Sequence, residues 1–212
     1  MDVSVAEAAQ ALGVSPRRVR ALAEAGEIPA RRVGRAWVID LDPRLPPRLP
    51  GRRLSARSAW AALGLGHENL SRSERRRARE RQARLADLPS QALARRADVH
   101  RLVAHPAALR LLGDDPRIVL GGVSAAAHHG ADIIAVDRVE GYVRTDDFED
   151  VRTAYALRPP ADGDGANVVL RAPAPAWPFP EDERYAPRLV VVADLREAGD
   201  ERSVRAALGL LA

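Results

Sequence analysis

The chain has 212 residues, a net charge of +4 and no cysteine, and every one of its 33 basic residues is arginine. Absence of cysteine excludes disulfides, thiolate catalysis and Cys-ligated zinc. The length allows one large domain or two modest ones, and with aromatics at only 4% the core must be built mostly from Ala, Leu and Val.

No apolar run reaches the length of a membrane span, and the N-terminus lacks the basic-then-apolar form of a signal peptide. The expectation is a soluble cytoplasmic protein with no membrane partner. Charge is uneven along the chain. Residues 1–112 hold 22 Arg against 11 acidic residues, and residues 113–212 hold 11 Arg against 18. A basic front half suits a polyanion and an acidic back half does not, so nucleic-acid binding is expected in front.

In chain order, Ser4 caps a first helix, with Glu7 three residues on to complete a capping box. Val5, Ala8, Ala9 and Leu12 recur at helical spacing, and Gly13 ends the helix. Ser15 caps a second helix, Pro16 suits its first position, and Val19 and Leu22 face inward. The outward face carries Arg17, Arg18, Arg20 and Glu24. Residues 31–39 then read as a β-hairpin turning near Gly34, with Arg31, Arg32 and Arg35 at its tip and Trp37 in its returning strand. A helix-turn-helix with a wing follows, whose second helix can enter a major groove. The expected DNA-contacting residues are Ser15, Arg17, Arg18, Arg20, Arg31, Arg32 and Arg35. A helical protein-interaction domain with a solvated basic face is the competing reading.

The middle of the chain is less distinct. Residues 42–51 hold four prolines and read as a semi-rigid linker. Ser55 caps a helix with Trp60 and Leu63 on its apolar side. Ser71 and Glu74 form another capping box ahead of an arginine-rich helix, supported by Glu80 and Arg84 and expected to be a solvated connector in preference to a second DNA-contacting helix. Further short elements, including a helix over 106–112, follow before residue 113.

From residue 115 strands and helices alternate. Strands are expected at 118–120, 139–143, 167–170 and 189–193, the last nearly all apolar and therefore central. Helices are expected at 124–129, stopped by Gly130, at 146–157, and at 201–211, with Asp194 capping a short turn. Trp177 and Phe179 should pin a proline-rich loop. The predicted fold class is mixed α+β: a winged helix-turn-helix over 1–42, a proline-rich linker and helical connector over 43–112, and an acidic α/β domain with a small mixed sheet over 113–212.

Residues Ser4 to Ile39 resemble the DNA-binding domain of the excisionase and MerR-like families, whose helix-turn-helix is followed by "G-x-I-P-A-x-R-x-G-x-x-W-x-I". The order "DPRIVLGGVSAAAHHGAD", "VEGYV", "ANVVLR" and "ADLREAGDERSVRAALGLL" resembles the AbiEi-like antitoxins of type IV toxin–antitoxin systems. That resemblance implies a front domain that represses the protein's own operon through double-stranded DNA. It also implies a back domain that offsets a nucleotidyltransferase toxin encoded alongside, without a stable complex. No catalysis, cofactor or metal is implied. Two protomers per operator are expected, since a single winged helix of this size gains specificity by pairing on half-sites.

Two alternatives stand beside it. Gly121-Gly122 before a small-residue helix is similar to the glycine signature of minimal nucleotidyltransferases, in which a helix N-terminus holds a triphosphate. That chemistry needs paired carboxylates, whereas the next strand reads Glu140-Gly141-Tyr142 with Asp137 three residues earlier. An excisionase-like factor that bends DNA is the other. His128 and His129 read as helix-end residues rather than metal ligands, because adjacent helical positions point about 100° apart.

Overall fold

A computed structural model describes residues 2–12, 14–25, 28–34, 36–40, 53–68, 70–161 and 165–212. Gly13, Arg35 and the proline-rich stretch lie outside the described residues. The chain divides into two compact units, residues 1–51 and 52–212.

In the first unit, helix α1 (Val5–Leu12) begins with the expected capping box. The Ser4 amide donates to Glu7 Oε2 at 2.8 Å and the Glu7 amide to Ser4 Oγ at 3.2 Å. Those bonds hold the Glu7 carboxyl below its ordinary range. Helix α2 (Pro16–Glu24) is capped by Ser15, whose Oγ accepts from the Arg18 amide. Ala8 and Ala9 are buried with Val19, Leu22, Ala23, Ile28 and Ile39. Small side chains on α1 allow α2 to approach closely, so a core of so few residues closes. Strands β2 (Ala30–Val33) and β3 (Ala36–Asp40) form the hairpin, and Gly34 at φ +61° makes the turn. A further strand, β1 (Asp2–Ser4), pairs antiparallel with β3, giving the order β1-β3-β2. It was not expected, because three residues carry too little alternation to register as a strand.

The second unit is α+β. Helix α3 (Ala56–Ala62) runs from the Ser55 cap and buries Trp60, whose Nε1 donates to the Arg96 carbonyl at 3.0 Å. Helix α4 (Arg72–Ala83) carries the second capping box, Ser71 with Glu74. Its support comes from Arg76–Glu80 at 3.3 Å, while the expected partner Arg84 pairs with Asp87 instead. Arg84 is the residue after the last helical turn, so it cannot reach back to Glu80 in helical register.

The sheet is mixed, in the order β4-β7-β6-β5. It comprises β4 (Ala97–Leu102), β5 (Val119–Leu120), β6 (Val139–Tyr142) and β7 (Val168–Pro173). Strand β7 runs antiparallel to β4 and parallel to β6, with Tyr142 opposite Arg171, and β5 is antiparallel to β6. Between them come α5 (Pro106–Asp114), α6 (Gly122–Ala126, continued as a 3-10 turn to His129) and α7 (Phe148–Ala154). Helix α7 is shorter than expected because the chain turns at Ala156, which has a positive φ of 50°. Helices α8 (Arg188–Ala198) and α9 (Glu201–Gly209) close the unit, α9 capped by Asp200.

Four readings are corrected here. The apolar run 189–193, read as a central strand, is the first half of α8. Val190 to Leu195 are all buried, and a helix buried on every side shows no period by which to tell it from a strand. Asp194, expected to cap a turn, lies fully buried inside that helix. Strand β4, on the sheet edge, was not expected because Asp98, His100 and Arg101 break its apolar pattern. The boundary drawn at residue 112 falls inside one unit. Trp60, Leu63, Leu85 and Leu93 share a core with Ile118, Tyr142, Leu170 and Val191.

At the centre of the second unit lies a buried charge network. Arg96 donates from Nη2 to Asp194 Oδ1 at 2.8 Å and to Glu197 Oε2 at 2.7 Å. Arg171 reaches Glu197 at 3.3 Å, Glu140 at 3.4 Å and Asp194 at 3.5 Å. Tyr142 Oη donates to Asp194 Oδ1. Burial, reinforced by the Asp194 charge, pushes the Tyr142 hydroxyl up, so it stays a donor. Burial also raises the Glu140 carboxyl, against the pull of the Arg171 guanidinium. Among the described residues no buried side-chain nitrogen or oxygen lacks a partner.

Removing one member of such a network leaves charge stranded. Asp194→Ala is expected to destabilise the second unit by about 3–5 kcal/mol, read from the urea midpoint of the full chain. A loss below about 1 kcal/mol would show that the network is not held as described. Asp115 gives a pH dependence. Its carboxyl is held below the usual range by hydrogen bonds from Arg117, from that residue's amide and from Tyr155, with burial opposing them. Its folded value therefore lies below its unfolded one, and its contribution is complete above the ordinary carboxylate range and lost as pH falls from there through the lowered folded value. Asp115→Asn should flatten the acid limb of the stability–pH curve, and an unchanged slope would contradict this.

Candidate nucleic-acid interface

Local chemistry aims the arginines of the first unit outward. The inward stripe of α2 is taken by Val19, Leu22 and Ala23, which leaves Arg17, Arg18, Arg20 and Glu24 on exposed positions. Ser15 is exposed at the N-terminus of α2, with its oxygen engaged as the cap. Its hydroxyl proton remains available to an acceptor beyond the helix.

Arg20 and Glu24, one turn apart, border a recess of about 470 Å³ whose other walls include Arg32, Ala36 and Trp37. The helix and the hairpin thus present charge to one concavity. The Arg32 guanidinium lies 5.7 Å from the Trp37 ring centroid, which steadies the long side chain against an aromatic face. Arg31 is exposed on β2 but pairs with Asp2 of β1, both side chains more than half exposed. An exposed pair of this kind is worth about 0–1 kcal/mol, so Arg31 can exchange Asp2 for a phosphate at little cost. Arg35 lies outside the described residues. Asp2 is an acidic member not expected from the sequence, whereas Glu24 was expected on the outward face of α2 but without a role at the site. Glu24 was legible from its spacing of four from Arg20, whereas Asp2 becomes visible only once β1 is in the sheet.

The Gly121-Gly122 turn in the second unit has a different character. The Gly122 amide donates to Asp194 Oδ2 at 3.0 Å, and the Gly121 amide to the Glu140 carbonyl at 2.9 Å. Gly122 has φ +47°, and a Cβ there would overlap the Glu140 carboxylate. The donors that a triphosphate would need are thus turned onto acceptors of the protein itself, the Asp194 carboxylate and the Glu140 main-chain carbonyl. Glu140 is buried against Arg171, whereas Asp137 is exposed and outside β6. Among the described residues no three His, Asp or Glu side chains are grouped to hold a metal ion. His129 Nε2 contacts the Ala186 carbonyl at 2.8 Å and His128 stacks on Tyr185 at 4.1 Å, so both rings pin the loop before α8. Phe179 is buried, edge-on to Trp60 and Trp177, which anchors its loop.

Residues 3–42 match the family model of a helix-turn-helix domain. Comparison with curated proteins and with solved structures returns no match for the chain. The matched span covers α1, α2 and the β1-β3-β2 sheet, so the first unit is a helix-turn-helix domain of the DNA-binding class, within a mixed α+β protein. No described helix is long and apolar enough to cross a membrane.

Arg18→Ala is expected to cost about 1–3 kcal/mol of specific binding where the side chain reads a base, and to weaken all sequences alike where it touches phosphate. Titrations on a specific and a scrambled duplex separate the two. Unchanged affinity on both removes Arg18 from the interface.

Proposed function

We propose that the protein is a sequence-specific transcriptional repressor of its own operon and the antitoxin of a type IV toxin–antitoxin pair. The observation that carries the DNA-binding part is the concavity shared by Arg20 of α2 and Arg32 of the hairpin. A helix lying in a major groove places its N-terminal residues on base edges, and an adjoining hairpin reaches the flanking backbone. Arg17, Arg18 and Arg20 are assigned to base and phosphate contacts, Arg31, Arg32 and Arg35 to backbone or minor groove, and Ser15 to a phosphate. Two protomers occupy each operator.

The antitoxin part rests on the resemblance of the second unit to the AbiEi-like proteins. It opposes a nucleotidyltransferase encoded alongside, with no catalysis of its own. The engaged amides of Gly121 and Gly122 favour this over an active transferase.

Fluorescence anisotropy on the DNA upstream of the gene, against a scrambled duplex, tests the first part. A preference of roughly a thousandfold or more at fixed salt is expected of a specific regulator. Equal, salt-sensitive binding to both duplexes would reduce the domain to a nonspecific tether. Co-expression with the adjacent gene tests the second part. Growth arrest relieved by the full chain is expected, and arrest that persists would refute the antitoxin assignment.

A further inference from the structure

The second unit carries its own cationic face, on α4. Arg72, Arg75, Arg76 and Arg79 follow the i, i+3, i+4, i+7 spacing that puts them on one side of the helix, and all four are exposed. With Ser73 they line a shallow surface recess. The core has no use for this face, since Ala78 is the buried residue of α4 and sits with Ala61 and Leu70.

Nor does the helix gain from it. Arg72 and Arg75 stand in the first turn, where the macrodipole is already positive, and Arg72/Arg76 and Arg75/Arg79 are like charges four apart. The acidic residues of the helix are largely committed elsewhere. Glu74 closes the capping box and faces Arg57 at 3.8 Å, and Glu80 offsets Arg76. Arg76–Glu80 is thus an ion pair that the helix itself supplies to this face.

Four arginines elsewhere in the unit are used internally. Arg96 and Arg171 bind buried carboxylates, Arg184 binds the carbonyls of Gly113, Asp115 and Ile118, and Arg196 those of Leu85, Ala86 and Leu88. The α4 row departs from that usage, and an anion in the recess would relieve both of its penalties.

We infer that the Arg72/Arg75/Arg76/Arg79 face of α4 is a second phosphate-binding surface, which holds the backbone of the duplex engaged by the helix-turn-helix domain. Only the choice of duplex DNA as occupant rests on the function proposed above. A linear row of guanidinium groups at helical spacing suits a polyanion with regularly placed phosphates rather than a single small anion. Both units belong to one chain, so a duplex held by the first raises the local concentration of phosphate at the second. The contact carries no sequence information and adds affinity to native and scrambled duplexes alike.

The test compares the full chain with the variant Arg72→Gln/Arg75→Gln/Arg76→Gln/Arg79→Gln and with the same four positions changed to Lys. Anisotropy titrations on native and scrambled duplexes across a range of salt give the slope of log affinity against log salt. Each lost phosphate contact should lower that slope by about 0.9, so the Gln variant should fall by about 3 to 4 on both duplexes. Its native-to-scrambled ratio should not change, and the Lys variant should regain the slope. Equal circular dichroism and urea midpoints establish that both variants fold. A slope unchanged in the folded Gln variant overturns the inference. So does a loss seen only on phosphatidylserine vesicles or on single-stranded RNA, which would give the face to that occupant. Loss of the native-to-scrambled preference in the unaltered chain refutes the repressor reading, while the slope difference still decides this one.

Discussion

Four charged or polar side chains from three distant stretches of sequence gather around Asp194 and Glu197 of α8, and the second unit is arranged around that convergence. Arg96 comes from the segment entering β4, Glu140 and Tyr142 from β6, and Arg171 from β7. The Gly122 amide completes the set. Taking these charges out of water costs several kcal/mol per ion, recovered only if each finds its partners in good geometry. The requirement is strict about position. Tyr142 and Arg171 are opposite each other across the β6–β7 pair, and a slip of one residue would send either to the wrong face of the sheet. The network therefore discriminates between registers more than it adds stability. It also explains why the glycine turn at 121–122 is where it is: the close approach of Glu140 leaves no room for a Cβ.

The first unit is held together by other means. Its core is a handful of aliphatic side chains between two short helices and a small sheet, and its specifying devices are local: two serine caps, a capping box, and a turn at Gly34. Because the inward stripe of α2 is only three residues, most of that helix is left for a ligand. The charge it presents is tempered by nearby acids, Asp2 beside Arg31 and Glu24 beside Arg20. Such neighbours lower nonspecific attraction to any polyanion and leave discrimination to geometry.

Arginine does three separate jobs in this chain, and charge counted along the sequence blends them. Arg96 contributes to the basic balance of the front half, yet it is buried and neutralised within the second unit. Arg184 and Arg196 serve as staples, satisfying backbone carbonyls of loops that lie far off in sequence. The exposed arginines, among them those of α2, β2 and α4, project charge outward. A sequence-level balance locates nucleic-acid binding only when these roles have been separated, and burial is what separates them.

What the sequence determined by itself is what short-range hydrogen bonds and spacing encode. Ser4 with Glu7, Ser15 with Pro16, and Ser71 with Glu74 specify helix starts within four residues of themselves, so α1, α2 and α4 are legible directly. The hairpin turn and the outward-facing arginines of α2 follow for the same reason. Tertiary structure alone decided the rest. Residues 189–193 satisfy a strand and a helix equally until burial on all sides selects α8. Asp194 is an ordinary turn residue until Arg96, almost a hundred positions away, makes it the centre of the second unit. β4 takes its place because β7 offers an unpaired edge, and its own residues carry no clear alternation. Local order is written in neighbours and can be read from them. Where the unit buries its charges depends on contacts between residues far apart in the chain, which no local pattern encodes.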